Sequence, residues 1–192
     1  MLNYATIEQT KKLTTWFDLS GFESSSSILV DDQTQAYTIR NSNVRLKVMP
    51  EDHKLPLKFD SVGGAFVAMR MGLDTLEGGP RHVSAGYFVS DNNLTNLLHA
   101  PDMVPGVLSV TNNPLESLVG WPASGVNTCN LNYSAHLPLL RTINTTEQIR
   151  LLDYAPPEVA QILNKYRGQG KTGAIKAAAE LIRAGYKDNA RW

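Results

Sequence analysis

The segment CNLNYSAHL, residues 129–137, alternates apolar and polar side chains more regularly than the rest of the sequence. A period of two places alternate side chains on opposite faces of an extended chain, and it is typical of a half-buried strand. The sequence therefore predicts a strand over residues 129–137. Its buried face is expected to carry Cys129, Leu131, Tyr133, Ala135 and Leu137.

Short apolar runs precede this segment, and turn residues separate them. The runs lie at residues 44–48, 65–71, 84–90 and 107–110, with Pro, Gly and Asn clusters between them. No internal repeat is evident. Many short strands joined by such turns favour a sandwich over alternating strands and helices. The expected fold is mainly β: a jelly-roll-like antiparallel β-sandwich with a C-terminal helical appendage.

Helical spacing is expected at the two ends of the chain. Residues 6–17 predict a short helix, and the serine run at 24–27 predicts a loop. We divide the chain into an N-terminal helix and loop (1–27), a β-sandwich (28–144) and basic C-terminal helices (145–192).

Three C-terminal helices are predicted. The first is expected from Thr145 to about Tyr154, and the second begins at Pro156-Pro157, because proline is tolerated in a first helical turn. The third is expected from Ala174 to Tyr186. Its apolar stripe would consist of Ile175, Ala178, Ala179 and Ile182.

Charge is balanced overall but not along the chain. The 192 residues contain 18 Lys and Arg and 18 Asp and Glu, which gives no general attraction to nucleic acid or membranes. Residues 154–192, however, carry seven Lys and Arg against three Asp and Glu, a net charge of +4. The single cysteine, Cys129, excludes an intramolecular disulfide and a Cys-rich zinc site.

The basic C-terminal segment predicts contact with RNA phosphates. The residues expected to make this contact are Lys165, Arg167, Lys171, Lys176, Arg183 and Lys187. Aromatic side chains for base stacking are sparse there, so binding is expected to be independent of RNA sequence. A solvated helical face and a helix lying on a membrane surface are the alternatives.

Common catalytic motifs are not matched. Gly170-Lys171-Thr172 lacks the earlier glycine and the preceding strand that a phosphate-binding loop requires. No serine lies in a Gly-x-Ser-x-Gly elbow, and the four histidines are scattered. Neither a metal nor a cofactor is expected, nor enzymatic turnover. The N-terminal residues do not resemble a secretory signal, and no apolar run is long enough to span a membrane.

The end of the chain resembles small insect RNA-virus coat proteins of the nodavirus and tetravirus kind. The resemblance rests on residues 129–137, on APPEVAQILNKYR (155–167) and on YKDNARW (186–192). It implies a jelly-roll shell with internal helices near the RNA. It also implies self-cleavage between Asn189 and Ala190, with Asn189 as the reacting residue, although the released peptide and the basic N-terminal arm of that family are missing.

The expected function is therefore structural. The chain would be a viral capsid protein, or a fragment of one, that self-assembles into an icosahedral virion around RNA. Its partners would be copies of itself, RNA without sequence specificity, and a host receptor or membrane; its location would be the virion, and the host cytoplasm during assembly. The alternative is a β-sandwich binding module that recognises a host ligand through loops near residues 91–103 and 120–128.

Overall fold

The computed structural model describes residues 1–20 and 27–192. The predicted loop at 24–27 therefore lies largely outside the described residues. The helices are α1 (Ile7–Trp16), α2 (Pro157–Tyr166) and α3 (Gly170–Arg183). The strands are β1 (Leu2–Tyr4), β2 (Phe17–Ser20), β3 (Ile28–Asp31), β4 (Tyr37–Ile39), β5 (Asn43–Leu46), β6 (Phe59–Val62), β7 (Phe66–Val67), β8 (His82–Val83), β9 (Tyr87–Phe88), β10 (Val107–Ser109), β11 (Val126–Asn132) and β12 (Thr146–Leu152).

The strands form two sheets that are parallel over most of their width. The larger sheet has the order β12-β11-β10-β9-β7-β5-β2, and only its β2–β5 pair is antiparallel. The smaller sheet has the order β1-β3-β4-β6-β8 and is parallel from β4 onward. The chain passes from one sheet to the other within each turn, as in a β-solenoid.

The coils of this solenoid are 21 residues long in the middle of the chain. Phe66 pairs with Tyr87, Tyr87 with Leu108, and Leu108 with Cys129, so each partner lies 21 residues further on. The flanking steps, from Val44 to Phe66 and from Cys129 to Ile149, are 22 and 20 residues. The sequence thus contains an internal repeat that the sequence analysis missed.

The predicted jelly-roll-like antiparallel β-sandwich is wrong. The capsid function inferred together with that fold is not tested by the structure and stays a prediction. The positions of the strands were largely anticipated, but their partners were not. A jelly roll joins antiparallel strands, whereas β7, β9, β10, β11 and β12 run parallel in successive coils.

Equivalent residues of successive coils stack to form the core. In the larger sheet the fully or almost fully buried column is Val44, Phe66, Tyr87, Leu108, Cys129 and Ile149. The Phe66 and Tyr87 rings stack with centroids 5.4 Å apart. Burial raises the pKa of the Cys129 thiol to about 12, so this cysteine serves as a small apolar core residue.

Asparagine side chains hold two of the turns that leave the larger sheet. Asn92 Nδ2 donates to the carbonyl oxygens of Ala68 and Val89, and Asn92 Oδ1 accepts from the Met71 and Leu73 amides. One coil later, Asn113 Nδ2 donates to the Val89 and Val110 carbonyls. A buried backbone polar group needs a partner, so the asparagine replaces the strand pairing that ends at each turn.

The remainder of each coil repeats in the same register. The leucine pairs Leu73–Leu76, Leu94–Leu97 and Leu115–Leu118 are buried. Pro80, Pro101 and Pro122 follow them and are also buried. Residues at positive φ stand between, at Gly78, His99 and Gly120. Apolar and turn residues at fixed offsets are expected when each coil buries its inner face against its neighbours.

The C-terminal segment closes one end of the solenoid. The predicted helix from Thr145 to Tyr154 is wrong, because residues 146–152 form β12, the last strand of the larger sheet. Helix α2 packs beside this strand, and its Asn164 bonds both the amide and the carbonyl of Ile149. Val159, Leu163 and Leu181 of α2 and α3 lie in the same buried cluster as the coils. The helices are therefore a cap that shares the core.

The buried face predicted for residues 129–137 is only partly confirmed. Cys129, Leu131 and Leu137 are buried, but Tyr133 is half-buried and Ala135 is exposed. The reason is that β11 ends at Asn132, after which the chain turns and the alternation no longer describes a strand. The other helices predicted near the two termini are confirmed as α1, α2 and α3, although α3 begins at Gly170 and ends at Arg183 and not at the predicted Ala174 and Tyr186.

Candidate functional site

The outward side of the larger sheet presents one side chain from each coil in a continuous row. The row, which we call the ladder face, consists of Arg45, Val67, Phe88, Ser109, Asn130 and Arg150. Each residue neighbours an inward, buried one, because successive strand residues point to opposite faces. The helices pack mainly on β2, β12, the 3₁₀ turn Leu139–Thr142 and one another, so they leave the ladder face open.

The centre of the ladder face is apolar, with a polar strip beside it. Val67 and Phe88 are half-buried. The Phe88 ring lies over Gly86, where a Cβ atom would stand 2.4 Å from the ring. Beside them, the Ser90 and Ser109 hydroxyls are 2.9 Å apart, and the Thr111 hydroxyl donates to Ser90 at the same distance. Because its ring lies over Gly86, Phe88 forms an apolar surface on the ladder face.

Unpaired cations stand at both ends of the ladder face. Arg45 and Arg150 are exposed, and neither forms an ion pair within residues 1–20 and 27–192. Neighbouring charges are already neutralised: Lys47 pairs with Asp18 at 3.2 Å and Arg70 with Asp91 at 3.5 Å. Five interstrand steps separate the two arginines, about 24 Å at the usual strand spacing.

Exposed apolar side chains extend this surface beyond β12. Leu152, at the end of β12, and Tyr154, just after it, are exposed, and Tyr154 is fully so. Asp153 between them accepts a hydrogen bond from the Asn132 side chain. Aromatic and arginine side chains are enriched among residues that dominate binding energy at interfaces. Arg150 and Tyr154 thus place two residue types common at binding interfaces at this end of the surface.

The loops predicted to hold a ligand do approach each other. Residues 99–102 and 120–123 line a cavity of about 330 Å³ together with Gly78, Gly79 and Arg81. Trp121, the aromatic side chain in the second of these loops, is buried, and its indole N–H donates to the Thr145 hydroxyl at 2.8 Å. Trp121 therefore covers the core, and the cavity is lined largely by Gly, Ala and Pro.

The six residues predicted to contact RNA all lie on the exposed side of the C-terminal cap, but they do not form one row. Lys165 is paired with Glu180 at 2.9 Å, and Arg167 donates to the Asn164 carbonyl. Lys171, Lys176 and Arg183 are exposed on α3, and Lys187 is exposed beyond the end of α3. RNA binding by this set stays a prediction.

The structure places Asn189, the residue predicted to mediate self-cleavage, inside the protein. It is 1% exposed. Asn189 Nδ2 donates to the Ser134 and Leu137 carbonyls at 2.9 Å each, and Asn189 Oδ1 accepts from the Tyr133 hydroxyl. Self-cleavage would require this amide nitrogen as the nucleophile. In the structure the same nitrogen instead bonds the C-terminal residues to the last coil. Self-cleavage stays a prediction; within residues 1–20 and 27–192, the hydrogen bonds of the Asn189 side chain involve Ser134, Leu137 and Tyr133 and no carboxyl group.

Metal binding, phosphate binding and membrane insertion of a helix were also considered from the sequence. Among the residues that the structure describes, no group of three or more His, Cys, Asp or Glu side chains could hold a metal ion. Gly170-Lys171-Thr172 begins α3 directly after a turn from α2, the helix–helix connection that was expected. Within the described ranges, no helix has the length and apolar character needed to cross a membrane.

Sequence reasoning missed the ladder face altogether. Val67, Phe88, Ser109 and Asn130 differ in type, so no motif marks them. The available signal was their spacing of 21 residues, which the paired register makes plain. Pro80, Pro101 and Pro122 repeat with the same period and could have revealed it.

Comparison with known proteins adds no assignment. No model of a protein family matches the chain. No curated protein and no solved structure is significantly similar to it. None of these comparisons links the chain to the nodavirus or tetravirus coat proteins that its C-terminal third resembles.

Proposed function

We propose that this protein is a non-catalytic recognition module whose ladder face binds an extended, acidic segment of a partner protein. The observation that carries the proposal is the open row of side chains on six consecutive parallel strands. Solenoids use such continuous surfaces for binding, because stacked coils present one residue each at a fixed spacing.

The chemistry of the row indicates which segment fits. The half-buried Val67 and Phe88 supply an apolar centre, and the half-buried Asn130 supplies a hydrogen-bonding amide, while Ser109 is buried and bonded to Ser90. The unpaired Arg45 and Arg150 at the two ends favour negative charges in the ligand. An extended chain advances about 3.4 Å per residue, so about seven residues span the ~24 Å between the arginines.

This proposal retains the binding-module alternative from the sequence but moves the site from the loops to the sheet. The loop cavity near Trp121 is lined largely by Gly, Ala and Pro, and its charged or titratable side chains are those of Arg81, His99 and Asp102. The ladder face offers apolar, polar and charged groups together. An interface with a packed apolar centre and a polar rim is the common arrangement in protein recognition.

The first prediction concerns the centre of the ladder face. A displayed library of random peptides, selected on the protein, is expected to enrich sequences with Asp or Glu flanking an apolar residue. Phe88→Asp should weaken binding of the selected peptides at least about tenfold, since loss of a central contact commonly costs more than 1.4 kcal/mol. Fluorescence anisotropy of labelled peptides measures the change in Kd.

Two further variants keep the test decisive. Asn130→Glu adds a negative charge on the same row and should also weaken binding. Met103→Asp is the matched control, because Met103 is exposed and lies beside β8, bridged to His82, away from the ladder face, and it should leave the Kd unchanged. Circular dichroism verifies that each variant is folded. A library without enriched peptides, or peptides that bind all three variants equally well, contradicts the proposal.

A further inference from the structure

The outward side of α3 is apolar, contrary to the usual orientation of a cap helix. Its inward side is formed by small residues and one leucine, namely Gly173, Ala174, Ala177 and Leu181, which are buried. Ile175 and Ile182 face outward and are 61% and 54% exposed. Ala179 lies between them on the same side. The stripe predicted from the sequence exists, but its two isoleucines point to solvent.

Cations flank this stripe on both sides. At about 100° of rotation per residue, Lys171 falls on one side of the Ile175–Ile182 line, and Lys176 and Arg183 fall on the other. All three are exposed, and none forms an ion pair within the described ranges 1–20 and 27–192. An apolar stripe between basic side chains is the composition of a helix that lies in a membrane interface.

The acids of this segment are too few to cancel its positive charge, because residues 154–192 carry seven Lys and Arg against three Asp and Glu. Glu180 accepts from the Tyr166 hydroxyl at 2.7 Å and from Lys165 Nζ at 2.9 Å, and these contacts lower the pKa of Glu180. Glu158 accepts from the Tyr186 hydroxyl at 2.8 Å. Asp188 pairs with Arg191 at 3.6 Å. The surface of the cap is therefore cationic where its isoleucines are exposed.

We infer that α3 docks on an anionic lipid bilayer, with Ile175 and Ile182 inserted among the lipids and Lys171, Lys176 and Arg183 at the headgroups. A second copy of this chain fits poorly, because symmetric contact would bring like charges together. RNA would accept the cations but would leave both isoleucines against phosphates. Only an anionic lipid surface satisfies the apolar and the charged groups together. This surface is separate from the ladder face and does not rest on the function proposed there.

Co-sedimentation with lipid vesicles tests the inference. The intact protein is expected to bind vesicles containing phosphatidylserine and to stay in solution with vesicles of phosphatidylcholine alone. The variant Ile175→Ser with Ile182→Ser, and the variant Lys176→Gln with Arg183→Gln, should each lower the partition coefficient at least about tenfold. Ile7→Ser is the matched control, because Ile7 is exposed on α1 at the other end of the chain, and it should bind like the unmodified protein.

A parallel titration with labelled single-stranded RNA separates the two anionic partners. RNA binding that is lost in the charge variant but kept in the isoleucine variant, without vesicle binding, overturns the inference and assigns the surface to nucleic acid. Vesicle binding that is unaffected by the isoleucine variant also overturns it, because the helix would then not insert. Loss of vesicle binding in both variants, with the Ile7→Ser control unchanged, supports it.

Discussion

Replacing Asn92 with alanine is expected to destabilise the protein by about 3–5 kcal/mol. Asn92 is 5% exposed, and its side chain bonds five backbone groups, those of Ala68, Met71, Leu73, Val89 and Ser90. Alanine would leave these groups without that partner, and each unsatisfied buried group costs about 1–3 kcal/mol. The total is smaller than the sum of these costs, because the turn can relax and satisfy some of the groups in other ways. Urea unfolding followed by circular dichroism measures the loss.

Asn93 is the matched control, because it is the same residue type one position further along. It is exposed, and its amide makes only two long contacts, at 3.3 Å to the Gly72 carbonyl and 3.2 Å to the Asp74 carboxylate. Asn93→Ala should cost less than about 1 kcal/mol, as surface substitutions usually do. Similar losses for the two variants would show that the asparagine does not hold the coil.

Replacing Gly120 with alanine is the second large effect, and we expect a loss of more than about 3 kcal/mol. Gly120 has φ of +85°, and a Cβ atom there would lie 2.0 Å from the Leu97 carbonyl oxygen of the previous coil. The left-handed conformation costs a residue with Cβ about 1–2 kcal/mol, and overpacking adds about 1–3 kcal/mol. The neighbouring coil must therefore move away.

Gly168→Ala separates the two causes. Gly168 also has positive φ, at +68°, but no atom of the described residues beyond its chain neighbours lies within 4 Å of the Cβ position. This variant should lose only about 1–2 kcal/mol, from the conformational cost alone. Urea midpoints of both variants, measured under the same conditions, give the comparison. Equal losses would mean that the coils are not packed as closely at Gly120 as the structure has them.

Local pattern located most strands but could not identify their partners. The runs at 65–71, 84–90 and 107–110 contain β7, β9 and β10, since apolar content and turn residues are properties of a short window. Whether two strands run parallel depends on the path of the chain between them. In this fold the chain re-enters the larger sheet in the same direction after 21 residues. The inward column changes from Phe66 to Tyr87, Leu108 and Cys129, so apolar character repeats while residue identity does not.

The error at residues 145–154 has a specific cause. Thr145-Thr146-Glu147 resembles the start of a helix, but Ile149 and Leu151 alternate with the polar Gln148 and Arg150. β11 supplies an open parallel edge, and β12 pairs with it from Val126–Thr146 to Asn132–Leu152. Tertiary pairing thus overrides a weak local helix signal.

The orientation of α3 could not be predicted from hydrophobicity alone. The sequence favours burial of Ile175 and Ile182, which are larger than the alanines beside them. The structure instead buries Ala174 and Ala177, and α3 lies against the 3₁₀ turn Leu139–Thr142. Small side chains allow a helix to approach its neighbour closely. The choice of face therefore depends on the shape of the last coil, which no local pattern contains.

The sequence did not indicate that Asn164 and Asn189 attach the C-terminal cap to the last coil. Asn164 and Asn189 each bond backbone groups that belong to the last coil or its turn. Their role depends on a partner 15 residues away for Asn164 and more than 50 residues away for Asn189. The resemblance to a cleavage motif led to the prediction that Asn189 reacts in self-cleavage. In the structure, its side chain instead bonds the Ser134 and Leu137 carbonyls and so holds the C-terminal residues against the last coil.

Disulfide cross-linking of outward residues on β10 and β11 tests the parallel solenoid most directly. The structure pairs Val107 with Thr128 and Ser109 with Asn130, about 5 Å apart at the usual strand spacing and within disulfide range. Double-cysteine variants at these two pairs should oxidise rapidly, while the crossed pairs 107–130 and 109–128, about 8 Å apart diagonally, should not. Cys129 is buried and does not compete. Rapid linking of the crossed pairs instead of the direct pairs would show antiparallel strands and contradict the solenoid.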